Sequence, residues 1–416
     1  MGVVVQKFGG TSVADAERIS HVAQTVAATA DAGHSVCVVV SAMGRATDDL
    51  LALAASVSRD PHPRELDMLL SAGECVSIAL LSLALHDLGR EAVSLTGFQA
   101  GIFTDSRHGS ARILTVRPER VADALRRGRI AIIAGFQGMS CDTDVTTLGR
   151  GGSDTTAVAI AAAVGADVCE IYTDVDGVFT ADPRVVPEAV KLDMLSYDEM
   201  LELAASGAQV LMTRSVEYAR VHGVRVQVRS SFTDGEGTWI VGDDELAERA
   251  IVSGVAHDSG EAKVTLHRVL HRPGVAAVVF GALADAGVNV DMIVQNVSHE
   301  GRTDISFTVP ERESDRAGSV LADAAREIGA GAVEIDPDVG KVSLIGAGMR
   351  SNPGVAAEMF AALGAAGIDV ELISTSSIRI SCIVRAADVE RATQVVHDAF
   401  ADALAYSAAR EAVAPS

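Results

Sequence analysis

The chain has 416 residues, 48% of them hydrophobic, with 34 Lys and Arg against 56 Asp and Glu and a formal net charge of −22. That much apolar material excludes a disulfide miniprotein or a disordered tail, and the lack of any Lys/Arg run excludes a nucleic-acid footprint, which needs clustered cations on phosphates. No stretch free of Asp, Glu, Lys and Arg exceeds 13 residues, short of the roughly 18 that span a bilayer, and the opening MGVVVQKFGG lacks the features of a secretory leader. A protein without a membrane span is expected. The five cysteines, Cys37, Cys75, Cys141, Cys169 and Cys382, are scattered and show no CxxC spacing. Neither a disulfide framework nor a metal centre held by protein ligands is indicated, and a cytoplasmic thiol protein fits.

From residue 1 to about 240, short Val/Ile-rich runs alternate with helical stretches. They read as VVVQ, a helix from about Asp15, VCVVV at 36–40, a helix over 65–88, AVSL at 92–95, IAIIAGF at 130–136, a helix over 154–164, VCEIY at 168–172 and VRVQV at 224–228. Continuous apolar strands separated by helices predict an α/β fold with a mostly parallel sheet covered on both faces, whose ligands bind beyond the carboxyl ends of the strands. The acidic stretch GDDELAERA at 242–250 reads as a junction. Beyond it, PGVAAVVFGALADAGVNVDMI (273–293) and PGVAAEMFAALGAAGIDVELI (353–373) match at 12 of 21 positions with an offset of 80 residues. Each copy follows a strand and leads through a helix into further strands, with another helix near Ser314 or Asp388, which predicts two βαββαβ units.

Four segments carry chemistry. KFGGTS at 7–12 joins a strand to a helix, so Gly9 and Gly10 can turn backbone N–H groups toward an anion while Lys7 adds a positive charge. LGRGGSDTT at 148–156 offers a second anion site, with Gly151 and Gly152 forming the turn, Ser153 or Asp154 capping a helix, and Arg150 alongside. Two such sites suggest a reaction joining two anionic substrates. Glu74 sits in a helix apolar on most faces, where an ionised carboxylate costs several kcal/mol unless paired. Its partner is either an internal Arg or Lys or a ligand cation such as an amino group. TDVDGVFTADPR at 173–184 is too rich in turn residues and carboxylates for a simple connector.

Together, KFGGTS, VVVSAMG, ELDMLLSAGE, TLGRGGSDTTAV, EIYTDVDGVFTADPR and the paired PGVAA modules with NVDMIVQNVS and ELISTSS resemble the aspartate kinases in their actinobacterial form, from about residue 3 to about residue 400. The resemblance implies an amino-acid-kinase domain (an αβα sandwich with an open, mostly parallel sheet) over 1–245 and a regulatory region over 253–416 with two ACT modules at about 262–337 and 341–405. It implies phosphorylation of L-aspartate by ATP with Mg²⁺ to give 4-phospho-L-aspartate, opening the pathway to lysine, threonine and methionine. Carried over by motif, Thr47, Glu74, Arg150, Gly151, Gly152, Ser153 and Asp154 would surround aspartate. Lys7, Gly9, Gly10, Thr173, Asp174, Phe179, Asp182, Arg184, Gln209 and Val210 would serve ATP, with Lys7, Asp154 and Gln209 at the catalytic centre. His271, Gly274, Ala276, Asn289, Asp291, Gln295, Asp369, Val370, Ser376 and Ser377 would form the effector sites for lysine or threonine. Assembly through the ACT modules, as a homo-oligomer or as α2β2, is also implied.

The sequence departs from that pattern in places. The family segment GAKVLM is GAQVLM here, with Gln209 in place of the lysine that reaches the ATP phosphates; a cation there is worth roughly 2 to 4 kcal/mol of transition-state stabilisation, so a slower enzyme is expected. His271 stands where the family commonly carries Asp, Asp369 replaces Asn and Ser377 replaces Glu. Loss of those carboxylates removes partners for an effector's ammonium, so feedback should be weakened. Two other readings stay open at this level: a catalytically weak paralogue acting as an ACT-based regulatory or binding subunit, and a kinase for another amino-acid carboxylate.

Overall fold

The computed structural model describes residues 2–246, 250–296 and 301–408. An eight-stranded sheet organises the first part, in the spatial order Met194–Ser196, Thr238–Val241, Val226–Ser230, Val168–Thr173, Val3–Phe8, Ser35–Val40, Ile130–Ala134, Ala92–Leu95. Every pairing is parallel except the one between Val226–Ser230 and Thr238–Val241. Both faces are covered, as the continuous apolar runs require. Val5, Cys37, Val39, Ala131 and Ile133 pack on one side with helix Gly152–Val164. Val36, Val38, Val40, Ile130 and Ile132 pack on the other with helices Ala16–Asp31 and Pro63–Asp87. Each fully buried Val or Ile contributes about 1.5 to 3 kcal/mol.

Strand Val3–Phe8 is where the strand order reverses: the chain goes first to Ser35–Val40 on one side, and the strand on its other side is Val168–Thr173. Such a switch point opens a crevice at the carboxyl ends, and KFGGTS lies at its mouth.

Helix Pro63–Asp87 is 25 residues long and apolar enough, by length and composition, to cross a membrane, which the charge-free count missed because Asp67 and Glu74 interrupt the run. In the fold its Ile78, Leu81 and Leu85 pack on the sheet, and both carboxylates are buried on its inner face. Asp67 accepts from Thr147 Oγ1 at 2.5 Å, from His108 Nδ1 at 2.8 Å and from the Gly109 amide, so it pins the hairpin that leads into Arg150.

In the second part, helices Val275–Asp285 and Val355–Ala365 each begin after a glycine with positive φ, Gly274 (91°) and Gly354 (114°), the residue type that enters this conformation without strain. Helices Ser314–Ile328 and Val389–Ala399 begin where the repeat placed them. The topology differs from two units in simple succession. The second unit takes a strand from residues preceding the first: Gly254–Asp258, the start of strand Gly254–Leu270, pairs antiparallel with Lys341–Ile345, while the rest of that strand serves the first unit. The two units are therefore interlocked, and one six-stranded sheet runs through both. A fragment spanning 250–416 is expected to unfold in a single cooperative transition, whereas one spanning 260–416 should expose apolar surface and bind a hydrophobic dye; equal cooperativity by circular dichroism would contradict the interlock.

Candidate active site

Lys7, the penultimate residue of the first strand, is 9% exposed, and its Nζ lies 2.6 Å from Asp154 Oδ1. The approach is ionic, without hydrogen-bond angles, since Asp154 Oδ1 is buried and accepts no hydrogen bond. Lys7 and Asp154 thus face each other as an ion pair over the start of helix Gly152–Val164. In the loop that follows, Gly10 admits no side chain. A Cβ on Gly10 would sit 2.9 Å from the Ala42 carbonyl and 3.1 Å from that of Gly44, and the Gly44 amide donates to Gly10 O at 2.9 Å. Gly9 N donates to Tyr172 O, which ties the loop to the strand that carries Thr173.

The second glycine turn corrects one expectation. Neither Ser153 nor Asp154 caps the helix; its N-cap is Gly151 in the left-handed region (φ 69°), with no side-chain cap. The positive end of the helix is thereby left for a ligand, and Asp154 is released to pair with Lys7. A Cβ on Gly151 would strike the Met212 side chain, so this turn packs against the segment containing Gln209 and Val210. A Cβ on Gly135, at the end of strand Ile130–Ala134, would meet Ser153 Oγ at 2.6 Å. Arg150 is exposed and, among the described residues, forms no ion pair.

Glu74 resolves the alternative left open by the sequence. It is 2% exposed, its Oε1 accepts the Ala42 amide at 3.2 Å, and its Oε2 is buried without a partner. Among the described residues no Arg or Lys pairs with it. Burial pushes its carboxyl up to about 7, with the Ala42 amide opposing the shift. Gly73 allows this approach, because a Cβ there would lie 2.8 Å from Ala42 Cβ. Thr47 stands in the first turn of helix Ala46–Val57, just beyond Gly44.

The structure thus brings Lys7, Gly9, Gly10, Gly151, Gly152, Ser153, Asp154, Glu74 and Thr173 to one end of the sheet. Phe179 forms a β-bridge with Lys191, and Asp182 and Arg184 pair with each other. Asp182 accepts a two-pronged pair from Arg184, which lowers the acid's pKa and leaves Arg184 closed on a neighbour. Thr180 in the same loop bonds His397 of the regulatory part at 3.0 Å. Asp174 is exposed and accepts from Thr173 Oγ1. Two serines went unnoticed in the sequence: Ser12 and Ser231 share a buried hydrogen bond of 2.6 Å, and the Ser231 amide donates to Thr173 O. Their signal was the SS pair directly after VRVQVR, at a strand's carboxyl end.

In the regulatory part, His271, Gly274, Ala276, Asn289, Gln295, Asp369, Ser376 and Ser377 are exposed and Val370 is half-buried. Asp291 is already engaged by Lys341 and Arg379.

A crevice at a sheet switch point, flanked by Lys7, a helix start without a side-chain cap and a buried carboxylate that pairs with no cation among the described residues, is an architecture suited to a phosphotransferase acting on a small charged substrate. Residues 2–230 match the amino acid kinase family, and residues 267–324 and 342–400 match the ACT domain. The aspartokinase of Mycolicibacterium smegmatis is 56% identical over 405 residues, covering 96% of both chains. Aspartokinase III of E. coli in complex with aspartate and ADP superposes with a TM-score of 0.82 at 28% identity, covering 95% of this chain and 99% of that one. The same enzyme in complex with lysine and aspartate gives 0.73 at 28% identity, with the same coverage. The chain belongs to the aspartate kinases.

A carboxyl whose folded-state pKa is raised destabilises the fold as pH climbs from 4.5 to about 7. Glu74→Gln should therefore raise Tm of the ligand-free protein at pH 8, by an amount worth about 3 kcal/mol, with no gain at pH 4.5. The same variant should bind aspartate more weakly. Thermal scans at the two pH values check this, and an equal or lower Tm at pH 8 would contradict an uncompensated Glu74.

Proposed function

We propose that the chain transfers the γ-phosphoryl group of ATP to the side-chain carboxylate of L-aspartate, giving 4-phospho-L-aspartate and ADP. This would be the first step from aspartate toward lysine, threonine and methionine, in the cytoplasm. The observation that carries this reading is Glu74, a buried carboxylate without a cation, beside a loop and helix start suited to phosphate. An α-ammonium would supply the missing charge, and Asp154 would assist once Lys7 turns to phosphate.

Two anions must meet in this reaction, so the work is positioning and charge neutralisation. Arg150, exposed and without an ion pair among the described residues, would take a substrate carboxylate as a bidentate partner. Lys7, with the amides of Gly9 and Gly10, would hold the transferring phosphoryl group, and Thr173, Asp174 and Val210 would border the nucleotide. The Asp182–Arg184 pair would flank it. Among the described residues no group of three or more His, Cys, Asp or Glu could hold a metal ion, and Mg²⁺ would arrive on the nucleotide's own phosphate oxygens and spread their charge.

Gln209 would lie at the phosphates as a neutral donor. A second reading, a catalytically weak copy serving as an ACT-based binding subunit, draws its support from that residue. Gln209→Lys should raise the rate of aspartyl phosphate formation by about thirtyfold to a thousandfold, the 2 to 4 kcal/mol of a cation at phosphate converted at 1.36 kcal/mol per decade. Hydroxylamine trapping of the acyl phosphate measures it. A Lys variant no faster than the parent would sink the assignment of Gln209, and no trapped product from either would favour the binding subunit.

For regulation we propose lysine and threonine sites in the ACT units, weakened by His271 and Ser377, in a homo-oligomer or α2β2 assembly. E. coli aspartokinase III binds lysine, which supports the effector class. Lysine and threonine together at sub-millimolar concentration should leave most of the trapped product unchanged; strong inhibition there would refute the weakening.

A further inference from the structure

Charged groups converge on the seam between the catalytic domain and the regulatory sheet. Lys341, 1% exposed, donates to Glu261 and to Asp291 at 2.7 Å each, and its ammonium lies 3.5 Å from the carbonyl of Ala205, the last residue of helix Tyr197–Ala205. Arg379 spans the same seam. It reaches Glu202 on that helix at 3.1 Å and Asp291 at 3.6 Å, and its Nε is buried without a partner. One cation is thus divided between an acid of the catalytic domain and an acid of the regulatory loop that precedes strand Ile293–Gln295.

The helix they hold leads into the nucleotide segment. Ser206 follows Ala205, and then Gly207, at φ 115°, packs so closely on the carbonyl of His257 in the regulatory sheet that no Cβ fits. Gln209 is two residues further on. A second tie, from Ser253 to Glu199, anchors the same helix. Well-packed apolar residues would hold such a seam as firmly as buried ions do, because desolvation offsets most of the Coulomb gain. A shared ion, unlike an apolar contact, can be redistributed when one of its acids finds another cation.

We propose that Arg379, though it belongs to the regulatory sheet, is a positioning residue for the nucleotide site: by dividing its charge between Asp291 and Glu202 it sets helix Tyr197–Ala205 and, through Gly207, the placement of Gln209. This rests on the reading that Gln209 lies at the ATP phosphates.

The test is steady-state kinetics on the full chain for Arg379→Gln, Arg379→Lys, Glu202→Gln, the Arg379→Gln/Glu202→Gln double variant and Gln209→Ala. Arg379→Gln and Glu202→Gln should each raise KM for ATP about two- to thirtyfold, the span of coupling changes seen along connected residues, while KM for aspartate stays near the parent value. The double variant should be no worse than the worse single one, and Arg379→Lys should recover part of the loss. Glu202 lies partly exposed at the seam, so its Gln variant keeps the test available if Arg379→Gln does not fold. Unchanged KM for ATP in Glu202→Gln, or equal rises in both KM values, overturns the proposal. If Gln209→Ala leaves KM for ATP untouched, the reading of the segment has failed; if Gln209→Ala raises it and Glu202→Gln does not, only the clamp has.

Discussion

The catalytic crevice is governed by one electrostatic constraint: charges buried at the carboxyl end of the sheet must be balanced, and in the free protein they are not. Lys7 and Asp154 neutralise each other at 2.6 Å. Among the described residues Glu74 has only a backbone amide. The cost of leaving it so is borne in its raised pKa, and it is recovered when a cation arrives. In the proposed site an amino group would relieve Glu74 and a phosphate would draw Lys7 away from Asp154, so the ligand would be selected by sign before shape.

The fold makes that imbalance stable. Strands buried on both faces hold Lys7 and Thr173 in fixed register and carry Ala42 and Gly135 just beyond their ends, and Gly10, Gly73 and Gly135 stand where a Cβ would strike backbone or a neighbouring side chain. The helix starting at Gly152 brings its positive end to the same place with no cap to satisfy it. Preorganisation of this kind does its work before the substrates arrive, which suits a reaction that needs positioning more than covalent chemistry.

Most of this architecture could be read from the chain. VCVVV and IAIIA announce buried parallel strands because nothing polar interrupts them, and Asp15 announces its helix and does cap it, accepting from Arg18 N. What escaped depends on distance in sequence. Ser12 and Ser231 are 219 residues apart, so no local pattern joins them. The strand Gly254–Asp258 is ordinary in composition, and only the tertiary fold assigns it to the unit that ends more than a hundred residues later. At Gly151 the competition went the other way: a left-handed glycine starts the helix, which frees Asp154 from the capping role its position suggests. The lack of any cation beside Glu74 was invisible for a simpler reason, that an absence needs the whole neighbourhood to establish.

The central claim is that Glu74 waits for the substrate's charge. It is tested most directly by following the Glu74 carboxyl stretch by infrared difference spectroscopy, on protein labelled with ¹³C glutamate and with Glu74→Gln for assignment, titrated with and without L-aspartate. The account predicts an apparent pKa near 7 in the free protein that falls well into the usual carboxylate range on aspartate binding. A titration that aspartate leaves unmoved would contradict it.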